Sequence, residues 1–269
     1  MIGSEGQKAG LGTLGLMLLA GAIFVFLIAP VVIIVMVSLS SSEYLSFPPS
    51  ALSLRWYERF VGDPSWRNAI WVSLQVGGLT MVFATSLGVL AALGLVRGTF
   101  RWRGAIYAFL LSPMIVPTII TAIGLYFLVA RIRWTGSILA MALGHTVLAL
   151  PVVVIVVSAT LQGFDERLEQ AALSLGASRW RALRKITLPL IGPGILSAAL
   201  FAFLTSFDEL LIPLFLSGVR SQTLTVKMWN SLQYWMDPSI AAVSTFLIGV
   251  SAAILVASAL LRGRSQPQR

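Results

Sequence analysis

The chain has 269 residues, 57% of them hydrophobic and 11% charged, with a mean hydropathy of +0.90. A soluble fold of that length cannot bury so much apolar surface, so the composition excludes a water-soluble globular protein and points to an integral membrane protein. The net charge of +9 would suggest nucleic acid in a soluble chain. In a membrane chain the placement of the charges matters more than their sum, and no nucleic-acid partner is implied. Cysteine is absent, which removes disulfides and thiolate metal sites.

A helix needs about 20 mostly apolar residues to cross the hydrocarbon core. Charge-free stretches predict six such spans, at about 11–39, 69–96, 105–130, 138–161, 190–212 and 240–261, within a single transmembrane domain 1–269. The apolar runs are continuous rather than alternating, which excludes a β-barrel. An even count puts both termini on one side. If that side is the cytoplasm, twelve basic residues lie inside, among them Lys8, Arg97, Arg101, Arg103, Arg264 and Arg269, against seven outside. Acidic residues such as Glu5 weigh little, and the positive-inside rule favours cytoplasmic termini.

The first span follows Lys8 like a signal peptide, but it is about twice the usual 7–15 residues of such a core and contains Pro30, so it is read as a retained helix. In the external segment after it, Pro48, Pro49 and Pro64 break the chain into short pieces. Trp56, Tyr57, Phe60 and Trp66 there suit an interfacial aromatic belt, with ligand stacking as the other reading. The third span contains Pro113, Pro117 and Gly124, which predicts a kinked or interrupted helix, either lining a pore or packed against neighbours. The fourth holds Pro151 and the single histidine, His145. Without cysteine or carboxylate neighbours His145 is no metal site, leaving a hydrogen bond between helices or a place on a translocation path.

Asp208 and Glu209 follow the start of the fifth span by some twenty residues, at about 1.5 Å per residue, which predicts a position near the outer mouth. Adjacent carboxylates there would attract a cation; equally, they would end the helix and pair with Arg220 or Lys227. Trp229, Tyr234 and Trp235 follow in the next external segment.

Between the fourth and fifth spans lies the one long polar interruption, residues 163–189. Leu168, Ala171, Ala172 and Leu175 have helical spacing, Trp180, Leu183 and Ile186 repeat it, and Gly176 separates the two sets. This predicts two short amphipathic helices with a glycine bend, held at the cytoplasmic membrane face. No G-x-x-x-x-G-K-[ST] loop occurs anywhere, and GASRW is not a nucleophile elbow. Catalytic residues are therefore not assigned, and the chain is not read as an enzyme.

Gln170, Ala171, Ala172, Gly176, Ile186, Leu188 and Pro189 have the spacing of the cytoplasmic motif of ABC importer permeases, which this stretch resembles. Gln170 stands where the motif usually has glutamate, with Glu169 one place earlier. The segments SSSEYLSFPPSALSLRWY, SFDELLIPLFLSG, TLTVKMW and STFLIG extend the likeness over most of the chain. Together they look like the second permease of the spermidine/putrescine group, which also includes opine and aminophosphonate systems.

The resemblance implies an all-α, six-helix permease bundle whose cytoplasmic coupling helices dock in a cleft of an ATPase subunit. Glu169, Gln170, Ala171, Ala172, Gly176 and Ala177 would lie at that contact, and Leu188 and Pro189 would turn the chain back into the fifth span. ATP and Mg would be bound by the ATPase, with no cofactor in this chain. The implied partners are a second permease, two ATPase subunits, an external solute-binding protein and membrane lipid. The implied setting is a bacterial inner membrane, with alternating access for a polyamine or related amine, or alternatively an opine, aminophosphonate or other small solute. A stand-alone secondary transporter or channel would also account for six spans, but it leaves residues 163–189 without a role, and the two halves show no evident repeat.

Overall fold

The computed structural model describes residues 11–234 and 238–263. Glu5, Lys8, Trp235, Arg264 and Arg269, used above, lie outside them. The first helix, α1 (Leu11–Ser38), is apolar all round. It lies on the rim, touching the last helix and leaving side chains such as Phe24, Phe26 and Leu27 exposed. A loop closed by a bridge between Ser40 and Leu52 leads to α2 (Arg55–Gly62). Asp63 then starts α3 (Pro64–Arg97): its carboxylate accepts the Ser65 N–H at 2.7 Å, and Pro64 occupies a position where no N–H is needed.

The basic turn leads to α4 (Arg103–Leu111), a 3-10 turn at Ser112–Met114, and α5 (Thr118–Arg131). Ser137 caps α6 (Ile138–Gln162), accepting the Ala140 N–H. The polar segment forms α7 (Arg167–Ser174) and α8 (Arg179–Ala182). After a π-helical turn at Leu183–Thr187 come α9 (Leu188–Phe207), α10 (Leu211–Leu216), α11 (Leu224–Tyr234) and α12 (Ser239–Gly263).

The centre of the bundle is made by α3, α6 and α9, each against the other two. Lipid tails are as apolar as leucine, so close van der Waals packing has to hold these helices together. Small residues make that possible. A Cβ at Gly88 would overlap the Val153 side chain, and one at Gly194 would overlap Thr160. Ala84, Ala92, Ala149, Ala198 and Ala202 fill the same interfaces and are fully buried.

Of the two readings of the third span, a kink or an interruption, the structure has the interruption: α4 and α5 meet at 95° across the break at 115–117. Pro113 is the second residue of the 3-10 turn and Pro117 immediately precedes α5, so two residues that cannot donate an N–H stand at the break. Among the described residues five helices are long and apolar enough to cross alone, and the bent pair makes six if its two halves count as one span.

The aromatics of α2 are not a belt. Trp56 and Phe60, four apart on one face, are each 3% exposed, as is Trp66. They lie against the outer ends of α3 and α12. Tyr57 keeps a hydrogen bond at the edge, its hydroxyl 2.7 Å from Ser38 Oγ.

The fifth span starts earlier than expected and stops earlier. Helical structure runs from Arg179 to Phe207, with no turn at Leu188 and Pro189. Instead the Leu188 N–H donates to the Leu183 carbonyl five residues back. This wider π turn accommodates the proline ring and its missing donor without breaking the helix.

Candidate functional site

The polar segment is bent by a specific device at Gly176. The Gly176 N–H donates to the Leu173 carbonyl and the Ala177 N–H to the Ala172 carbonyl, both at 3.0 Å, and Gly176 has φ +86°. These are the two bonds of a Schellman termination, which needs a left-handed residue after the helix. No atom lies within 4 Å of where a Gly176 Cβ would sit. The glycine is therefore required by backbone conformation, not by close approach within this chain. Ser178 then caps α8 by accepting the Arg181 N–H at 3.3 Å.

Of the sequence-predicted residues here, Gln170, Ala171, Gly176 and Pro189 are exposed, while Ala172, Ala177 and Leu188 are partly covered. Leu168, Leu173, Leu175 and Trp180 add exposed apolar surface, Leu175 being 89% exposed at the bend. Glu169 behaves differently, because its carboxylate turns into the bundle. Arg97 Nη2 lies 2.6 Å from Oε2, Arg97 Nη1 donates to Oε1 at 3.1 Å, and the Thr187 hydroxyl donates to Oε2 at 2.9 Å. Arg97 Nη2 also reaches Thr187 Oγ1 at 3.3 Å. One carboxylate thus ties α7 to the end of α3 and to the π turn ahead of α9. Sequence reasoning missed Arg97, counted only as an inside charge, and Thr187, which carried no signal in a single sequence.

At the opposite end, α9 stops at Phe207 and the chain breaks before α10. His145 Nδ1 lies 2.6 Å from Ser206 Oγ. The Ser206 hydroxyl donates to Thr80 Oγ1 at 3.3 Å, and the Thr80 hydroxyl donates to the Ala142 carbonyl at 3.2 Å. That direction of donation places the histidine proton on Nδ1. The histidine therefore joins α6 to α9 and, through Ser206, to α3. Its Nε2 is buried with no partner among the described residues. His145 is seven residues into α6, about 10 Å from the end of that helix.

Asp208 and Glu209 follow directly after the end of α9, in a helix break two residues past this network. The chain continues as α10, whose Leu216 carbonyl accepts the Gly136 N–H at 2.7 Å in the turn before α6.

The two carboxylates have separate roles. Glu209 Oε1 accepts the N–H groups of Leu211 at 2.7 Å and Ile212 at 3.3 Å, capping α10, and the Thr225 hydroxyl donates to the Glu209 carbonyl at 2.7 Å. Asp208 is exposed, and its carboxylate has no hydrogen-bond or ion-pair partner among the described residues. Neither Arg220 nor Lys227 pairs with them. Lys227 lies instead over the Trp66 ring, 5.6 Å from its centroid. No group of three His, Asp or Glu residues placed to hold a metal occurs among the described residues.

Comparison with known proteins agrees with this architecture. Residues 84–266, which include the whole polar segment, match the family model described as binding-protein-dependent transport system inner membrane component. The chain is similar to the putrescine transport system permease protein PotI of Escherichia coli (strain K12), 32% identical over 253 residues, covering 91% of this chain and 90% of that one. It is also similar to the spermidine/putrescine transport system permease protein PotC of Haemophilus influenzae, 31% identical over 240 residues, covering 89% and 93%.

Among solved structures, a chain of a bacterial alginate ABC transporter in complex with an alginate pentasaccharide-bound periplasmic protein shares the fold. Its TM-score is 0.70 at 17% identity, over 95% of this chain and 96% of that one. A chain of the MetNI methionine ABC transporter in an inward-facing conformation gives 0.60 at 20% identity, over 74% and 95%. The chain belongs to the family of binding-protein-dependent transport system inner membrane components, the permeases of ABC importers.

Proposed function

We propose that this permease serves an ATP-driven importer that moves a polyamine or a related small amine inward across a bacterial inner membrane. The observation that carries the cargo is the near-full-length likeness to two relatives named for putrescine and spermidine transport. The Asp208 carboxylate, exposed at the end of α9 and unpaired among the described residues, supports it: an ionised group beside a span is costly unless it has a partner, and a cationic substrate is one. Glu209 is occupied in capping α10 and holds the break open.

In this reading the chain works with a second permease, two ATPase subunits that bind ATP and Mg, and an external binding protein. The ATPase grips the segment through Gln170, Ala171, Ala172, Gly176 and Ala177 and the exposed leucines around them, a small-residue and apolar surface suited to a groove. Glu169, with Leu188 and Pro189, passes the motion on to α3 and α9. The excess of basic residues on the termini side supports cytoplasmic termini.

The test is uptake of labelled putrescine and spermidine by cells that express the permease with its neighbouring transport genes, against opine and aminophosphonate competitors. The reading expects saturable polyamine uptake, an apparent KM raised several-fold by Asp208→Asn, and no competition from the anionic solutes. Competition by an opine or aminophosphonate, with Asp208→Asn silent, would reassign the cargo.

A further inference from the structure

At the end of the bundle that carries the polar segment, a cavity of about 420 Å3 opens between the last turns of α3 and α6 and the start of α4. Leu95, Val96 and Gly104 supply part of its wall, and Arg103, Tyr107, Ser158 and Gln162 bring four polar side chains to it. None of these four side chains has a hydrogen-bond or ion-pair partner among the described residues. Ser158 is the most telling of them. It is 6% exposed, and its hydroxyl is buried and unpartnered. Two residues on, Thr160 satisfies itself on the Val156 carbonyl at 2.8 Å, the usual recourse of a hydroxyl on an apolar helix.

The chemistry of the lining is one-sided. It offers guanidinium N–H groups, two hydroxyls and one amide, with a single positive charge and no carboxylate. The complementary ligand is an anion with several oxygens, and a phosphate fits that description. Position decides its source. Gln162 ends α6 and Arg103 begins α4, so the cavity sits where the spans meet the aqueous face. The neighbouring Trp102 is 68% exposed, and Ile106 and Phe109 on α4 are exposed at 42% and 74%, an apolar track leading from that level along the helix.

We propose that the cavity seats the phosphate of an anionic phospholipid. Arg103 takes the phosphate oxygens, Tyr107, Ser158 and Gln162 bond the phosphate or the glycerol next to it, and the acyl chains follow Ile106 and Phe109 along α4. A basic pocket between helix ends at a membrane surface has the electrostatics that such headgroups select. The bound lipid braces the start of the interrupted third span against α3 and α6. This site is independent of what the permease carries.

The experiment is native mass spectrometry of the complex that this chain forms in the membrane, extracted in mild detergent and progressively delipidated. One anionic phospholipid per copy is expected to outlast the rest. Arg103→Gln should lower its retention about five- to tenfold, the worth of one interfacial arginine, and Ser158→Ala should lower it by a smaller factor. Arg101→Gln, outside the cavity, should leave retention unchanged. Adding phosphatidylglycerol back to the delipidated complex should restore binding, while phosphatidylcholine and inorganic phosphate should not occupy the site. Equal retention in wild type and Arg103→Gln would overturn the proposal. Displacement of the lipid by millimolar inorganic phosphate would also overturn it and assign the cavity to a soluble anion. Arg103 is exposed, so its replacement leaves packing intact, and Arg103→Lys, which keeps the charge, should retain more lipid than Arg103→Gln.

Discussion

Removing either member of the Arg97–Glu169 pair should loosen the polar segment from the bundle. The two side chains are 26% and 17% exposed, so the pair is neither a surface contact nor a fully dry one. At about 4 Å between charge centres and an effective dielectric of about 20, the attraction is about 4 kcal/mol. Desolvation and side-chain ordering return roughly half of that. The net coupling of about 2 kcal/mol exceeds the roughly 0.2–1 kcal/mol of an exposed pair and corresponds to about a 30-fold change in the docked-to-loose equilibrium of α7.

Arg167, Arg179, Arg181, Arg184 and Lys185 supply tryptic sites within the loosened stretch. Cleavage in open membrane fragments, at low protease, reads the population of the loose form. Arg97→Ala and Glu169→Ala should each speed cleavage about 30-fold and slow uptake, and the double mutant should be no worse than either alone. Losses that multiply in the double mutant, or unchanged cleavage in Glu169→Ala, would refute the clamp.

Gly176→Asp should abolish uptake at normal membrane abundance: a φ of +86° costs a non-glycine residue about 1–2 kcal/mol, yet a Cβ there meets open space. Gly88→Leu should lower membrane abundance and thermal stability by about 1–3 kcal/mol through overlap with Val153, whereas Gly78→Ala, open on all sides, should not. Asp63→Ala should cost about 1 kcal/mol by uncapping α3. Burial opposes the Asp63 charge, but bonds from Ser65 and the charges of Lys227 and Arg59 outweigh it and hold this carboxyl below its ordinary value. Its stabilising contribution is therefore complete above the unfolded carboxyl's pKa and is lost as pH falls through the lower, folded one. A thermal-stability difference between wild type and Asp63→Ala that persists unchanged into strong acid would contradict that assignment.

Hydropathy located the spans because a crossing helix leaves a long charge-free run, and Gly176 was legible because left-handed backbone selects glycine. What escaped depended on neighbours distant in sequence. Trp56 and Phe60 looked interfacial until their shared helical face met α12, and Arg97 looked like one inside charge among twelve until Glu169 faced it. Pro113 and Pro117 signalled a break in the third span but not its right angle. The family resemblance implied that Leu188 and Pro189 turn the chain back, whereas a π turn absorbs the proline and the helix runs on. Asp208 and Glu209 were placed by counting rise along the helix, a count that gave no sign that α9 stops at Phe207, one residue past the Ser206–His145 contact.

The central claim is that residues 163–189 face the cytoplasm and are gripped there by an ATPase. The chain contains no cysteine, so Leu175→Cys, at the 89% exposed tip of the bend, and Val219→Cys, 93% exposed at the other end, give clean single labels. A membrane-impermeant maleimide should label Val219→Cys in intact cells and Leu175→Cys only in inverted vesicles, where added ATPase subunits protect it. Labelling of Leu175→Cys from outside intact cells, or no protection by the ATPase, would contradict the account.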